Sequence, residues 1–117
     1  MAHKRIASHV RTHRKKSGLT QSELAELVGY SNAGPVSRHE RGVSIPPLSV
    51  ALAYAAIFCV GIPDLFPVVY EIAGSDVEVR LQSLESRLGR KSTKDRDKNA
   101  TAYKLLFISL RKYGIQL

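Results

Sequence analysis

The apolar residues at the start of the chain recur at the spacing of an α-helix. Ile6 and Val10 lie four positions apart among basic residues, so the pattern predicts one apolar face on a helix over residues 2–17. Gly18 follows directly, and glycine adopts the left-handed conformation of a helix end without strain. The chain is therefore predicted to begin with a short amphipathic helix.

A capping box marks the start of the second predicted helix. Thr20 is a favoured N-cap residue, and Glu23 stands three positions later, where its carboxylate can reach back to the backbone of the cap. The apolar residues of this helix are Leu24, Ala25, Leu27 and Val28. Gly29 is predicted to end the helix after about nine residues, or about two and a half turns.

A third helix is predicted over residues 32–41. Asn32 can cap this helix, Val36 is expected to face inward, and Gly42 is expected to end it. Pro35 is compatible with the prediction because it falls in the first turn, where a helix does not need the missing N–H donor.

The next segment, residues 43–66, carries a single charged residue, Asp64. Its apolar run is bounded by prolines and is shorter than the roughly 20 apolar residues that a membrane span needs. We therefore predict a buried helix over residues 48–59 at the centre of the core, followed by one helical turn over residues 64–66. Cys59 is the only cysteine, so it cannot form an internal disulfide, and we interpret it as a small core residue.

One long apolar stripe dominates the pattern after residue 66. Its members, spaced three and four positions apart, are Tyr70, Ala73, Val77, Leu81, Leu84 and Leu88. This spacing predicts a long helix over residues 67–88. The last four members have the spacing of a coiled-coil seam, so we predict that a second copy of the chain packs there. The alternative is that the stripe folds back on the first domain of its own chain.

A charged segment without apolar residues follows the stripe. We interpret residues 89–99 as a linker and residues 101–113 as a final helix. The chain of 117 residues then divides into a first domain over residues 1–66 and a helical extension over residues 67–117, which would dimerise or bind a partner. All of the predicted elements are helices.

Basic residues concentrate at the two ends of the chain. The net formal charge is +8 overall, +5 over residues 1–42 and +6 over residues 90–117, whereas residues 67–89 carry −2. Two basic ends around a neutral to acidic middle indicate a polyanionic partner. A basic surface that serves only solubility is the alternative, and charge alone does not separate the two.

A combination of short motifs spans the second and third predicted helices. It consists of Gly18-Leu19-Thr20-Gln21, Glu23-Leu24-Ala25, Gly29 and Ser37-Arg38-His39-Glu40-Arg41-Gly42. Over residues 4–66 the chain resembles the Cro and lambda-repressor-like helix-turn-helix family, also called xenobiotic-response-element type regulators. The resemblance implies an all-α, five-helix DNA-binding domain, followed here by one or two C-terminal helices. It also implies a dimeric transcription regulator, commonly a repressor, whose partner is double-stranded DNA.

The resemblance implies a set of residues that contact DNA. The helix over residues 32–41 would enter the major groove, and its base-edge contacts are expected from Asn32, Ala33, Gly34, Ser37 and Arg38. Phosphate contacts are expected from Arg14, Thr20, Gln21, Ser31 and Arg41. Arg38 is the strongest candidate for reading a base, because a guanidinium group pairs bidentately with guanine. The alternative for Arg38 is a phosphate contact.

Some single residues match or depart from the family pattern. Arg14 and Glu40 match a family pair that joins the first helix to the recognition helix, although Arg14 could instead contact a phosphate freely. The segment from Gly29 to Gly42 is one residue longer than is usual in the family, so the recognition helix can start at a different position. His39 stands where the family usually has an apolar or aromatic residue, and we interpret it as a half-buried neutral ring rather than a pH sensor.

Other chemistries find little support in the sequence. His9 and His13 lie four positions apart and could chelate a metal, but no cysteine or carboxylate stands near them, so we expect neither a metal nor a cofactor. We expect no enzyme, because no nucleophile stands beside a placed base, and a cytoplasmic protein, because no secretory signal is visible. The alternative function is an antitoxin whose residues 101–117 bind a toxin while its first domain represses its own operon.

Overall fold

The structure is a computed structural model that describes residues 7–90 and 95–116. Within these ranges all of the regular secondary structure is helical. The helices are α1 (Val10–Ser17), α2 (Gln21–Val28), α3 (Gly34–Glu40), α4 (Leu48–Phe58), α5 (Ile62–Leu65), α6 (Pro67–Arg90) and α7 (Asp95–Arg111). The predicted all-α class, with five N-terminal helices followed by C-terminal helices, is confirmed.

Helix α1 begins at Val10, later than predicted, although the part of that prediction on residues 1–6 lies outside the described residues. The backbone of His9 donates a hydrogen bond to the carbonyl of Leu65 at 2.8 Å, and Nδ1 of His9 lies 2.9 Å from the carbonyl oxygen of Asp64. These contacts with α5 hold the chain in a non-helical conformation before α1. A tertiary contact therefore sets this boundary, and the local pattern of apolar residues could not show it.

The capping box of α2 forms as predicted. Oγ1 of Thr20 accepts a hydrogen bond from the backbone of Glu23 at 3.1 Å, and Oε1 of Glu23 accepts one from the backbone of Thr20 at 2.9 Å. Hydrogen bonds from the backbone and then the side chain of Thr20 lower the pKa of the Glu23 carboxyl, because they favour its ionised form. Gly29 ends the helix with a φ of 93°, a left-handed conformation that suits glycine.

Helix α3 begins at Gly34, two residues after the predicted start, and ends at Glu40. Asn32 was predicted to be the N-cap of this helix, but Ala33 is the residue that directly precedes it. Oδ1 of Asn32 still accepts a hydrogen bond from the backbone of Gly34 at 2.9 Å. The extra residue of this segment is thus taken up in the turn before α3. The predicted recognition helix over residues 32–41 is corrected to the seven residues of α3.

The core of the first five helices lies where α1, α2, α3 and α4 meet. Its completely buried large side chains are Tyr54, Leu24, Leu65, Val10 and Val36. Each buried aliphatic side chain stabilises the fold by about 1.5–3 kcal/mol. Ala25 on α2 is also buried, and α2 packs against α3. A larger side chain at Ala25 would push these two helices apart.

Helix α4 contributes three buried residues to the core but exposes its other side, which corrects the prediction that the whole helix is buried. Val50, Ala51 and Tyr54 are buried, whereas Leu48 is 73% exposed and Leu52 is 51% exposed. Cys59 is exposed as well, so the prediction of a core cysteine is wrong. It follows the last turn of α4 with a φ of 55°, a conformation that turns the chain away from the helix axis.

The chain separates into two compact units, of which the first ends at Ala73 and the second begins at Gly74. In the second unit, α6 runs to Arg90 and α7 begins at Asp95, so the described residues of the predicted linker over residues 89–99 lie in helices, whereas residues 91–94 lie outside the described residues. Lysine, arginine, asparagine and aspartate cost a helix only a few tenths of a kcal/mol per residue, so the helix extends through a charged segment. None of the helices in the described part of the chain has the length and apolar character to cross a membrane.

Two ion pairs join α6 to α7 among the described residues. Nη1 of Arg111 lies 2.6 Å from Oε1 of Glu78, and Nζ of Lys112 lies 3.1 Å from Oε2 of Glu85. Leu88 of α6 is buried, while Leu81 and Leu84 are half-buried. The C-terminal part of the predicted stripe is therefore covered within the chain, whereas Val77 stays exposed.

Candidate nucleic-acid interface

Helix α3 separates into a buried face and an outward face. Val36, His39 and Glu40 are buried at the spacing of one helix face. Arg38 and Arg41 are exposed, and Ser37 is half-buried. The structure therefore presents one cationic face of a short helix, while the other face anchors the helix to α1, α2 and α4.

A buried ion pair fixes α3 to α1, as predicted for Arg14 and Glu40. Nε of Arg14 donates to Oε2 of Glu40 at 2.6 Å, and Nη2 donates to Oε1 at 3.1 Å. Nη1 of Arg14 donates to the carbonyl of Leu19 at 3.0 Å. The hydrogen bond and the negative charge of Glu40 raise the pKa of Arg14, while burial opposes that shift. Arg14 is thus ion-paired rather than free, and its phosphate contact stays a prediction.

Gln21 joins the same ion pair from the first turn of α2. Its Nε2 donates a hydrogen bond to Oε1 of Glu40 at 3.0 Å, so Glu40 links α3 to both α1 and α2. This arrangement orients α3 more than it adds net stability, because burying two charges costs nearly as much as their attraction returns. The contacts of Gln21 and Thr20 with DNA phosphates remain predictions, and the Thr20 hydroxyl already accepts the hydrogen bond of the capping box.

A concave polar surface lies beside this ion pair. It is lined by Arg11, Arg14, Gln21, Ser37, Glu40 and Arg41. Arg11 was not among the predicted phosphate contacts, yet it is exposed and lies on α1 beside the ion pair. The signal that could have identified Arg11 is its position three residues before Arg14, which places both on one face of α1. Arg11 and Arg41 are the exposed arginines of this surface.

His39 belongs to a buried aromatic cluster behind the outward face of α3. Its Nδ1 is hydrogen-bonded to Oη of Tyr54 at 2.9 Å, and its ring lies between those of Tyr30 and Tyr54 at centroid distances of 6.1 Å and 5.9 Å. Burial, and then the charge of Arg38, lowers the pKa of His39. Burial also raises the pKa of Tyr54. His39 is a packed ring, as interpreted from the sequence, and it is buried rather than half-buried, while its lowered pKa favours the neutral form.

The predicted base-contacting residues come together around the first turn of α3. Asn32 and Arg38 are exposed, and Ala33, Gly34 and Ser37 are half-buried. Ser31, a predicted phosphate contact, is exposed in the turn before them. This set occupies one continuous part of the outward face, and whether each member contacts DNA stays a prediction.

The two histidines considered as metal ligands have other partners. Nδ1 of His9 lies 2.9 Å from the carbonyl oxygen of Asp64, and the ring of His13 stacks on Phe58 with a centroid distance of 5.7 Å. Across residues 7–90 and 95–116, no group of three or more potential metal ligands is found.

Comparison with known proteins identifies the family of this chain. Residues 5–66, more than half of the 117 residues, match the family model described as a helix-turn-helix domain. The chain therefore belongs to that helix-turn-helix family, in agreement with its resemblance to the Cro and lambda-repressor-like proteins. No curated protein and no solved structure matches the chain.

Proposed function

We propose that this protein is a sequence-specific regulator of transcription that binds double-stranded DNA in the cytoplasm and acts as a repressor. The domain over residues 1–66 would bind the DNA, and residues 67–117 would form the extension that associates. The observation that carries the proposal is the outward face of α3, which is cationic and is held by a buried ion pair at 2.6 Å. The proposal assigns no catalytic role to any residue.

The basic groups around α3 match the geometry of a DNA backbone contact. Arg11 and Arg41 line one concave surface beside the first turn of α2. Free backbone N–H groups at such a turn favour a phosphate, and exposed arginines add charge without sequence preference. We therefore assign the phosphate contacts to Arg11 and Arg41, together with Thr20, Gln21 and Ser31. Arg14 acts mainly by orienting α3 through Glu40.

Selection of bound sequences from a random duplex pool tests the proposal. The expected result is an enriched palindrome whose half-sites lie one helical turn, about 34–36 Å, apart, because each α3 reads only a few base pairs. Arg38→Ala is the informative variant, and Arg80→Ala is its control, because Arg80 is an exposed arginine on α6. A pool that stays random after several rounds would refute sequence-specific binding.

The second part of the proposal is that two copies associate through an exposed face of α7. Ile108 is buried and Leu105 is half-buried on one side of this helix. On the opposite side, Tyr103, Leu106 and Phe107 are 71%, 48% and 46% exposed. An apolar cluster of this kind is rarely left uncovered on a monomer. A second copy is the partner that the reading of two half-sites requires.

A charge placed on that face tests the association. Phe107→Lys should yield a folded monomer in sedimentation and weaken binding to a duplex with two half-sites, because a lysine cannot be buried unpaired at an apolar interface. Ser109→Lys is the control, since it adds the same charge to an exposed position of α7 away from that face. Leu84 is a poorer choice because it is half-buried within the chain. A wild-type protein that sediments as a monomer at micromolar concentration would rule out the dimer.

The same exposed face favours one other function, that of an antitoxin. In this alternative, α7 binds a toxin of different sequence while the first domain represses the operon that encodes both. The two proposals differ in the sedimentation experiment, because the antitoxin can be monomeric when purified alone. A monomer that forms a stoichiometric complex with the product of a neighbouring gene would support the alternative.

A further inference from the structure

The first turn of α3 lacks side chains that could hydrogen-bond to a base. Ala33, Gly34 and Pro35 carry a methyl group, no side chain and an apolar ring. Any side-chain hydrogen bond from this end of the helix must therefore come from residues that reach over the turn from either side. Asn32 precedes the turn, and Arg38 lies one turn further along α3.

Gly34 makes room for both of these side chains. A Cβ atom placed on Gly34 would lie 2.9 Å from Oδ1 of Asn32 and 3.4 Å from Nη1 of Arg38. The first distance is shorter than Cβ contacts in real proteins, so the Asn32 side chain would have to shift, and the second is at the close limit of ordinary van der Waals contact. The guanidinium group of Arg38 thus lies back along the helix, over the position where any other residue would carry a side chain.

The hydrogen bonding of Asn32 fixes which of its groups can face DNA. Its Oδ1 accepts a hydrogen bond from the backbone of Gly34 at 2.9 Å, which holds that oxygen against the helix, while the amide nitrogen takes no part in this bond. That nitrogen is a donor, and the guanidinium of Arg38 carries only donors. The two side chains that converge over Gly34 can therefore both offer hydrogen-bond donors to a base.

We propose that Gly34 is a positioning residue that lets Arg38 and Asn32 converge into a donor pair selective for guanine. The inference rests on the proposed function and adds Gly34 and Asn32 to Arg38 as residues that determine the preference for guanine. In the major groove guanine presents two acceptors, N7 and O6, whereas cytosine presents a donor and adenine presents a donor beside its acceptor. Two donors side by side match guanine and are mismatched to cytosine.

The experiment compares base preferences selected from a random duplex pool for Gly34→Ala and Gly74→Ala. Both changes add one methyl group to a helical glycine, but a Cβ at Gly74 meets nothing within 4 Å. Wild-type protein and Gly74→Ala should enrich guanine at one position of each half-site. Gly34→Ala should lose about tenfold of that preference, the low end for one bidentate pair, whereas Gly74→Ala should keep it.

A double substitution separates positioning from a general effect on folding. If Gly34 acts through Arg38, Gly34→Ala should change the guanine preference no further in an Arg38→Ala background. Arg38→Lys provides a second variant at an exposed position, and it should lose the guanine preference although it keeps the positive charge, because a lysine cannot pair bidentately. The melting temperature, measured for every variant, should not fall with the loss of preference.

The outcomes distinguish this inference from the proposed function. An enriched site without guanine, or a Gly34→Ala protein that keeps the wild-type preference, would overturn the inference and leave DNA binding intact. If Gly34→Ala reduces the guanine preference as much in the Arg38→Ala background as in the wild-type protein, Gly34 does not act through Arg38 and the inference is wrong. A pool without any enriched sequence would overturn both the inference and the proposed function.

Discussion

The ion pair between Arg14 and Glu40 offers the sharpest test of how the recognition helix is held. Glu40→Gln keeps the size of the side chain but removes the charge from a group whose side chain is only 1% exposed. The Arg14 side chain, 12% exposed, would then face an amide, which can accept hydrogen bonds from its guanidinium group through one oxygen only. Gln21 would also lose a charged acceptor for its amide nitrogen.

The expected loss of stability is large for a single isosteric change. Removing one partner of a buried ion pair costs about 3–5 kcal/mol, because the remaining charge stays buried without compensation. Arg14 would keep its hydrogen bond to the carbonyl of Leu19 and could still donate to the amide oxygen that Glu40→Gln introduces. We therefore expect a loss at the low end of this range, about 3 kcal/mol of unfolding free energy. Urea unfolding followed by circular dichroism measures this value as a shift of the midpoint.

The ion pair between Arg111 and Glu78 supplies a matched control. Its N–O distance is also 2.6 Å, but its side chains are 35% and 55% exposed. Glu78→Gln should therefore cost less than about 1 kcal/mol, since solvent screens an exposed pair. If Glu40→Gln and Glu78→Gln cost the same small amount, the argument that burial makes the Arg14 pair important would be wrong.

Two further predictions concern pH and salt. Burial lowers the pKa of His39 in the folded chain, so the unfolded chain binds the proton of this histidine more readily. The contribution of the neutral His39 ring to stability is therefore fully present above pH 6.5, the ordinary pKa of histidine, and is lost as the pH falls below that value. Unfolding measured between pH 7 and 5 should show this slope in wild-type protein and a smaller slope in His39→Phe, and equal slopes would contradict it. Arg11→Ala should reduce the slope of log affinity against log salt by about 0.9, the value for one neutralised phosphate. Arg80→Ala should leave that slope unchanged, and an unchanged slope for Arg11→Ala would remove Arg11 from the phosphate contacts.

Local signals in the sequence identified most of the helix ends. The capping box of Thr20 and Glu23 and the helix end at Gly29 depend on residues within three or four positions of one another, so tertiary structure had little to change. The short helix α5 is an exception, because it was predicted over residues 64–66 and runs instead over Ile62–Leu65. The motif combination was also sufficient to identify the family, because it places specific residue types at fixed spacing over two helices.

The predictions that proved wrong concern which apolar or charged surfaces become covered. The largely apolar α4 has the pattern of a core helix, but Leu48 and Leu52 are exposed, and none of the described residues of the first unit covers them. Cys59 looked like a core residue for the same reason. The charged start of α7 looked like a linker because polarity alone does not distinguish a loop from an exposed helix.

The sequence by itself determined the helical class, the caps and the family, since these follow from short-range spacing and from backbone preferences of single residues. Only the tertiary structure decided how other distant groups combine: Gln21 with the ion pair of Arg14 and Glu40, and Arg11 with Arg41. Each combination joins residues from different helices or different turns. The distances between these residues depend on how the helices pack around the core. The order of residues along the chain does not show which helix faces pack together, so it does not determine these distances.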